Sequence, residues 1–213
     1  MNLQSAALII VDVQNDFCTG GQLEVPSGEK VIPIVNRLSP IFPTVVATQD
    51  WHPPNHLSFA SQHPGIELGQ VFDLNGLPQV AWPDHCVEHS HGAQFVKDLD
   101  QSHFTSVFKK GTQRDVDSYS GFFDNGGQHS TGLAEFLTEQ KIRQIYLLGL
   151  ATDYCVKFTA LDAIKCGFET CLIQDGCRGV DLQPGDSERA IESMKSAGVQ
   201  VLSSQEIYHD PSQ

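Results

Sequence analysis

A carboxylate and two imidazoles are the side chains whose types and spacing first suggest chemistry. Asp50 and His52 follow an apolar run in VVATQDWHPPNH, and His85 lies further along in AWPDHCV. One carboxylate with two imidazoles suits zinc, iron or manganese. The alternative is a polar turn after a strand, since Asp-x-His pairs are common by chance. His56, in the same loop, is either a further ligand or a residue that supports one.

A thiol, a carboxylate and an amine form a second candidate set. Cys155 lies in GLATDYCVKFTALDAI, where a small-residue turn leads into a helical pattern. The helix dipole and a nearby amine are expected to lower the pKa of this thiol. Asp12, in IIVDVQNDF, could accept its proton, and Lys110, in VFKKG, could supply the amine. Taken singly, these residues have plain structural explanations: a buried cysteine, a turn residue and a solvated strand end.

Apolar segments predict the strands that must carry these side chains. They lie at 6–13, 44–49, 106–111, 144–150, 170–175 and 199–204. Several are unbroken Val, Ile and Leu runs, which are typical of strands covered on both faces. Helical patterns alternate with them at 28–39, 131–140, 154–166 and 186–197. The alternation predicts an α/β fold, a Rossmann-like three-layer α-β-α sandwich with a mostly parallel sheet of roughly six strands.

The predicted topology brings the two candidate sets together. Ligands of open parallel sheets bind outside the carboxyl ends of the strands. Successive predicted strands end close to Asp12, Asp50, Lys110 and Cys155. We therefore expect one site at this edge of the sheet.

One region interrupts the alternation of strands and helices. Residues 51–105 are irregular and contain most of the nine histidines. Irregular segments of this length are usually functional or disordered, and the histidines favour function. We interpret the region as a metal-site and lid segment within a single domain spanning 1–213.

Composition limits the partners and the compartment. The formal net charge of -13 argues against nucleic acid and anionic membrane as partners. The first apolar run lacks a basic flank and stops at Asp12, so it predicts neither a secretory signal nor a membrane span. Without an export signal, the six cysteines indicate reduced thiols and a cytoplasmic protein. A homo-oligomer is left open.

Seven segments resemble the nicotinamidase (pyrazinamidase) branch of the isochorismatase-like cysteine hydrolases. They follow one another over nearly the whole chain: IIVDVQNDFCTGGQL, VVATQDWHPPNHLSFA, WPDHCV, VFKKG, DSYSGFFDN, LGLATDYCVKFTALDA and DGCRGV. The resemblance implies hydrolysis of nicotinamide to nicotinate and ammonia through a thioester, with pyrazinamide as a further substrate and NAD salvage as the role.

The resemblance also implies roles for individual residues. The catalytic residues would be the nucleophile Cys155, the proton acceptor Asp12 and the cation Lys110. One divalent transition metal, zinc before iron or manganese, would be bound by Asp50, His52 and His85 and would anchor the pyridine nitrogen. The walls of the ring pocket would be Phe17, Leu23, Trp82 and Tyr119. A cis Leu150–Ala151 peptide would accompany an oxyanion hole formed by the amides of Ala151 and Cys155.

Three other interpretations remain at this point. An isochorismatase cleaves a vinyl ether and would not need the cysteine. A carbamoyl-sarcosine-type amidohydrolase fits the metal ligands and Trp82 less well. A non-catalytic metal-binding scaffold would have no use for Asp12, Lys110 and Cys155 together.

Overall fold

Eight strands are present in the computed structural model, which describes residues 3–208. Their bounds are β1 Ala6–Val11, β2 Thr44–Asp50, β3 Val71–Leu74, β4 Leu77–Val80, β5 Ser106–Lys110, β6 Gln144–Leu150, β7 Glu169–Arg178 and β8 Gln200–Leu202. Six of them form a sheet in the order β5-β2-β1-β6-β7-β8, and every pairing in it is parallel. Residues 1–2 and 209–213 of the predicted domain lie outside the described residues.

Helices flank the sheet, so the predicted α/β sandwich is confirmed. The α-helices are α1 Ile32–Leu38, α2 Leu133–Glu139, α3 Lys157–Lys165, α4 Asp186–Ser196 and α5 Ser204–Tyr208. A 3-10 turn, Gly28–Val31, leads into α1, and a π-helical turn, Thr152–Val156, leads into α3. Within the described part of the chain, no helix has the length and apolarity needed to cross a membrane.

The centre of the sheet forms the core. Every residue of β1 and of β2 is buried, because β1 lies between β2 and β6 and both of its faces are covered. Full burial of one aliphatic side chain in such a strand contributes about 1.5–3 kcal/mol. The strand ends that carry the polar candidates are therefore held by the most buried part of the molecule.

Several segments differ from the sequence prediction: β1 and β8 end two residues earlier than predicted, and β7 ends three residues later. The last strand ends at Leu202 because a helix begins at Ser204, where Glu206 accepts hydrogen bonds from the N–H and hydroxyl of Ser203. The region 51–105 contains the hairpin β3–β4, which was not predicted. Its turn has positive φ at Asn75 and Gly76, so the Asn-Gly pair was a usable signal.

The sheet register brings the polar strand ends together. Asp12 directly follows β1, and Asp50 and Lys110 are the last residues of β2 and β5 and face each other across that pair. The segment that contains Cys155 begins immediately after β6.

Candidate active site

Lys110 lies at the centre of a buried polar cluster. Its Nζ is 2.9 Å from Asp12 Oδ2 and 2.9 Å from Asp50 Oδ1, and it lies 3.4 Å from Cys155 Sγ. The ammonium also donates to the carbonyl of Ser118 at 2.9 Å. The three residues predicted as catalytic are thus brought together around one cation.

The two carboxylate oxygens of Asp12 have different partners. Its Oδ1 accepts a hydrogen bond of 2.6 Å from Thr48 Oγ1, while Oδ2 contacts Lys110. A carboxylate oxygen of Asp12 and Cys155 Sγ lie within 4.8 Å of each other. A short movement would bring the thiol proton within reach of this carboxylate.

Cys155 lies in the π-helical turn that follows β6. The peptide between Leu150 and Ala151, at the end of that strand, is cis, as predicted. Both Ala151 and Cys155 line the same cavity. The two residues predicted for the oxyanion hole therefore line one cavity, and one of them carries the thiol.

Burial and charge oppose each other at these groups. Burial alone would lower the pKa of Lys110, but the carboxylates of Asp12 and Asp50 outweigh it and raise the pKa well above its ordinary value. Burial raises the pKa of Asp12 more than Lys110 lowers it. The amine therefore stays charged, and the Asp12 carboxyl binds protons more readily than an exposed one does.

The predicted shift of the Cys155 pKa was wrong, because the sequence analysis expected a lowered pKa and the structure gives a raised one. Burial raises the pKa of Cys155 well above its ordinary value, and Asp12 and Asp50 add to that effect, while Lys110 opposes it only in part. The helix-dipole argument failed because it left out complete burial and two carboxylates. The thiol is therefore neutral at rest and needs a base during attack, a role that Asp12 is close enough to fill.

The three predicted metal ligands also converge. Asp50 Oδ2 is 3.3 Å from His52 Nε2 and 3.5 Å from His85 Nε2. Each imidazole directs its other nitrogen, Nδ1, to a backbone carbonyl at 2.8 Å, that of Gly111 for His52 and that of Pro83 for His85. When Nδ1 donates its proton there, Nε2 presents a lone pair, as a metal ligand requires.

The residues present fit a divalent metal ion. His52 Nε2 is buried, and although Asp50 Oδ2 lies 3.3 Å away, no hydrogen bond of good geometry satisfies this nitrogen, which is costly for a polar atom unless it binds something. Burial alone would lower the pKa of His52, but Asp50 outweighs it and raises the pKa. The negative charge that favours a proton at this point also favours a metal cation.

His56 lies beside the metal ligands and bonds to other groups. Its ring packs on His52 with centroids 4.3 Å apart, and its Nδ1 is 2.7 Å from Ser58 Oγ. Burial, together with the proximity of His52, lowers the pKa of His56 to about 4. A neutral His56 supports the ring of His52 in this arrangement.

A narrow cavity lies between the thiol and the metal ligands. It is lined by all four residues predicted for the ring pocket, Phe17, Leu23, Trp82 and Tyr119. The indole N–H of Trp82 donates to the hydroxyl of Tyr119 at 3.1 Å, which fixes both rings. Its aromatic walls suit a small flat molecule.

Three further lining residues were missed from the sequence: Asp117, Tyr154 and Val180. Tyr154 adjoins Cys155 and could have been found by its position. Val180 reaches the cavity because Asp153 accepts hydrogen bonds from the N–H groups of Val180 and Asp181. The two bonds join residues that are 27 and 28 positions apart in the chain. A local sequence pattern does not predict such a contact.

Replacing Lys110 with methionine tests the buried cluster. We expect Lys110→Met to lower the free energy of unfolding by about 3–5 kcal/mol, because it leaves buried carboxylates without their cation. Denaturant unfolding measures this, and Lys109→Met is the matched control. The Lys109 amine is exposed and lies over the Trp51 ring at 3.5 Å, so its loss should cost about 1 kcal/mol or less. Equal stability of the two variants would contradict a central role for Lys110.

The fold and the site define the class of protein. A parallel α/β sheet carries a thiol, an amine and two carboxylates at its carboxyl edge, and the isochorismatase domain model matches residues 6–206. The chain belongs to the isochorismatase family, and the predicted family is confirmed.

Individual relatives give more specific information than the family model does. A nicotinamidase of Escherichia coli strain K12 is 51% identical over 196 residues, which cover 90% of this chain and 92% of the relative. A solved nicotinamidase-pyrazinamidase of Acinetobacter baumanii is 42% identical with a TM-score of 0.94, covering 97% of this chain and 100% of that chain. A Pyrococcus horikoshii pyrazinamidase, solved in complex with zinc, is 40% identical with a TM-score of 0.77, covering 93% and 99%.

Proposed function

We propose that this chain is a nicotinamidase, which hydrolyses nicotinamide to nicotinate and ammonia and also accepts pyrazinamide. One observation carries the proposal: Asp50 contacts Lys110 through Oδ1 and both imidazoles through Oδ2. A single carboxylate thereby sets the separation between the metal ligands and the nucleophile cluster. A pyridine carboxamide has a ring nitrogen and an amide carbon at a short, fixed separation, so one such molecule could reach the metal ligands and the thiol together.

Asp50, His52 and His85 would hold the metal, and zinc is our proposal for it. One carboxylate and two imidazoles are a zinc-type donor set, and the Pyrococcus horikoshii relative was solved with zinc. When bound, the ion supplies a Lewis-acid position for the ring nitrogen and so orients the ring. The residues around Lys110 make and break the covalent bonds.

Acylation begins with a proton transfer from Cys155 Sγ to the Asp12 carboxylate. The thiolate attacks the carboxamide carbon, and the C=O electron pair moves onto oxygen. The N–H groups of Ala151 and Cys155 donate to that oxyanion, and one such donor typically contributes about 3 kcal/mol. Asp12 returns its proton to the nitrogen as the C–N bond breaks, so ammonia leaves and a thioester remains.

Deacylation repeats these steps with water. Asp12 takes a proton from a water molecule, and the oxygen attacks the thioester carbon. The C–S bond breaks, the proton on Asp12 returns to Sγ, and the acid product leaves as nicotinate after losing its carboxyl proton to solvent. Lys110 keeps its charge throughout and holds Asp12 beside the sulfur.

The surroundings of the site support an amide substrate. Phe17, Leu23, Trp82 and Tyr119 would enclose the ring. A vinyl-ether substrate would leave Cys155 without a role. The region 51–105 contributes His52, Trp82 and His85, which supports its proposed function as the metal-site segment of a single domain. NAD salvage is the role that follows from releasing nicotinate.

Metal removal tests the proposal. We expect chelation, or His52→Ala, to raise the KM for nicotinamide at least about tenfold, since the ring loses its anchor. Steady-state ammonia release and metal analysis measure this, with re-added zinc restoring KM in the wild type alone. His103→Ala is the control, because that imidazole is exposed, pairs with Asp100 and belongs to none of the groups of described residues that could hold a metal. Fully active enzyme without a bound transition ion would refute the metal site.

A further inference from the structure

Asp16 is a nearly buried carboxylate, 8% exposed, that is absent from the cavity lining and from the cluster around Lys110. Both of its oxygens accept backbone hydrogen bonds. Oδ2 accepts from the N–H of Cys86 at 2.7 Å, and Oδ1 accepts from the N–H of Gln22 at 3.2 Å. Each of these N–H groups belongs to a residue adjacent to one that lines the cavity.

The stronger of these contacts holds the loop that carries His85. The peptide that Asp16 binds joins His85 to Cys86, and the carbonyl of Cys86 accepts the N–H of His52 at 3.0 Å. Cys86 has φ +45°, a conformation that costs a non-glycine residue about 1–2 kcal/mol. Hydrogen bonds on both sides of Cys86 therefore hold it in an unfavourable backbone state and join the loops of the two imidazoles.

The second oxygen holds a wall of the ring pocket. Gln22 precedes Leu23, and the N–H of Leu23 donates to the backbone carbonyl of Asp16 at 3.0 Å. Asp16 thus contacts the loop of a ring-wall residue and the loop of a metal ligand at once.

Gly92 fixes where this carboxylate lies. The N–H of Asp16 donates to the carbonyl of Gly92 at 3.1 Å. A Cβ added at Gly92 would collide with the carboxylate of Asp16, so only glycine leaves room for it. Gly92 thereby offers a way to displace the carboxylate without changing its chemistry.

We propose that Asp16 is a positioning residue that holds His85 in its metal-binding orientation through the Cys86 peptide. This inference rests on the proposed metal site. Removing the hydrogen bond frees the left-handed backbone at Cys86 to relax, and His85 then moves relative to Asp50 and His52. Partners that orient metal ligands in this way typically contribute 10–100-fold in affinity.

Zinc affinity of the purified full-length protein tests this, by competition with a chromogenic zinc chelator. We expect Asp16→Ala to weaken zinc binding by about 10–100-fold. Asp16→Asn should fall between that variant and the wild type, because its amide keeps one acceptor oxygen. Gly92→Ala should also weaken binding, because it displaces the carboxylate. The KM for nicotinamide should rise in the same order.

Asp124 provides a matched control for the general effect of losing a buried carboxylate. It is also 8% exposed, and it accepts the N–H groups of Gln128 and His129 within its own turn. Asp124→Ala should lower stability in denaturant unfolding of the metal-free protein and leave zinc affinity within about twofold.

The outcomes separate this inference from the proposed function. If the wild type binds zinc and the Asp16 and Gly92 variants bind it equally well, the metal site stands and the positioning role is overturned. The role is also overturned if Asp124→Ala weakens zinc binding as much as Asp16→Ala does. If the wild type itself binds no zinc, the metal site fails and the inference fails with it.

Discussion

Cys155→Ala should abolish nicotinamide hydrolysis, with kcat falling at least about 10⁴-fold, as when a covalent nucleophile is removed from other hydrolases. The side chain forms and breaks the bond to the acyl group, so no neighbouring residue replaces it. Nicotinamide binding should persist, because the aromatic walls and the metal ligands are unchanged. Ammonia release measures the rate, and isothermal titration with nicotinamide measures the binding.

Cys177→Ala is the matched control for that variant. Cys177 is also a buried free thiol, but its Sγ donates to the carbonyl of Ile173 and it does not line the cavity. Burial raises the pKa of Cys177 to about 12. We expect this variant to keep wild-type turnover to within a few-fold. More than a trace of activity in Cys155→Ala would refute the covalent mechanism.

Benzamide should be a poor substrate, with kcat/KM at least about a hundredfold below that of nicotinamide. It keeps the ring shape and the scissile amide and lacks only the ring nitrogen. A site built around one polar contact rejects an analogue that lacks it, by up to about 10⁴-fold in the best cases. With benzamide bound, a water molecule can occupy the coordination position on the metal that the ring nitrogen would fill, and this reduces the penalty.

Pyrazinamide is the control for the benzamide comparison, since it keeps a nitrogen at the equivalent ring position and should be hydrolysed. Isochorismate has no amide for Cys155 to attack and should not react. Comparable kcat/KM values for benzamide and nicotinamide would mean that Asp50, His52 and His85 hold nothing that touches the substrate.

The sheet and the convergence of the polar residues were predictable from the sequence. Buried parallel strands are continuous aliphatic runs, and β1 and β2 are of that kind. The rule that ligands bind at the carboxyl ends of strands then placed Asp12, Asp50 and Lys110 at one edge, where the structure has both carboxylates within hydrogen-bonding distance of the Lys110 amine.

The missed features depend on contacts between distant segments. Asp16 bonds to Cys86, 70 residues away, and Gln14 pairs with the backbone of Asp50 through both its amide oxygen and nitrogen, 36 residues away. The raised pKa of Cys155 belongs to the same class, since burial by the assembled fold is its main cause. Local sequence patterns do not predict contacts between distant segments.

The central claim is that this chain cleaves the amide bond of nicotinamide at Cys155. Its most direct test is to quantify both products, ammonia and nicotinate, from nicotinamide incubated with the zinc-loaded wild type and, in parallel, with zinc-loaded Cys155→Ala. We predict that the wild type releases the two products in equal amounts at a steady rate, and that the variant stays at the level of the enzyme-free blank. Nicotinamide left intact by the zinc-loaded wild type, or equal rates from the two proteins, would contradict the account.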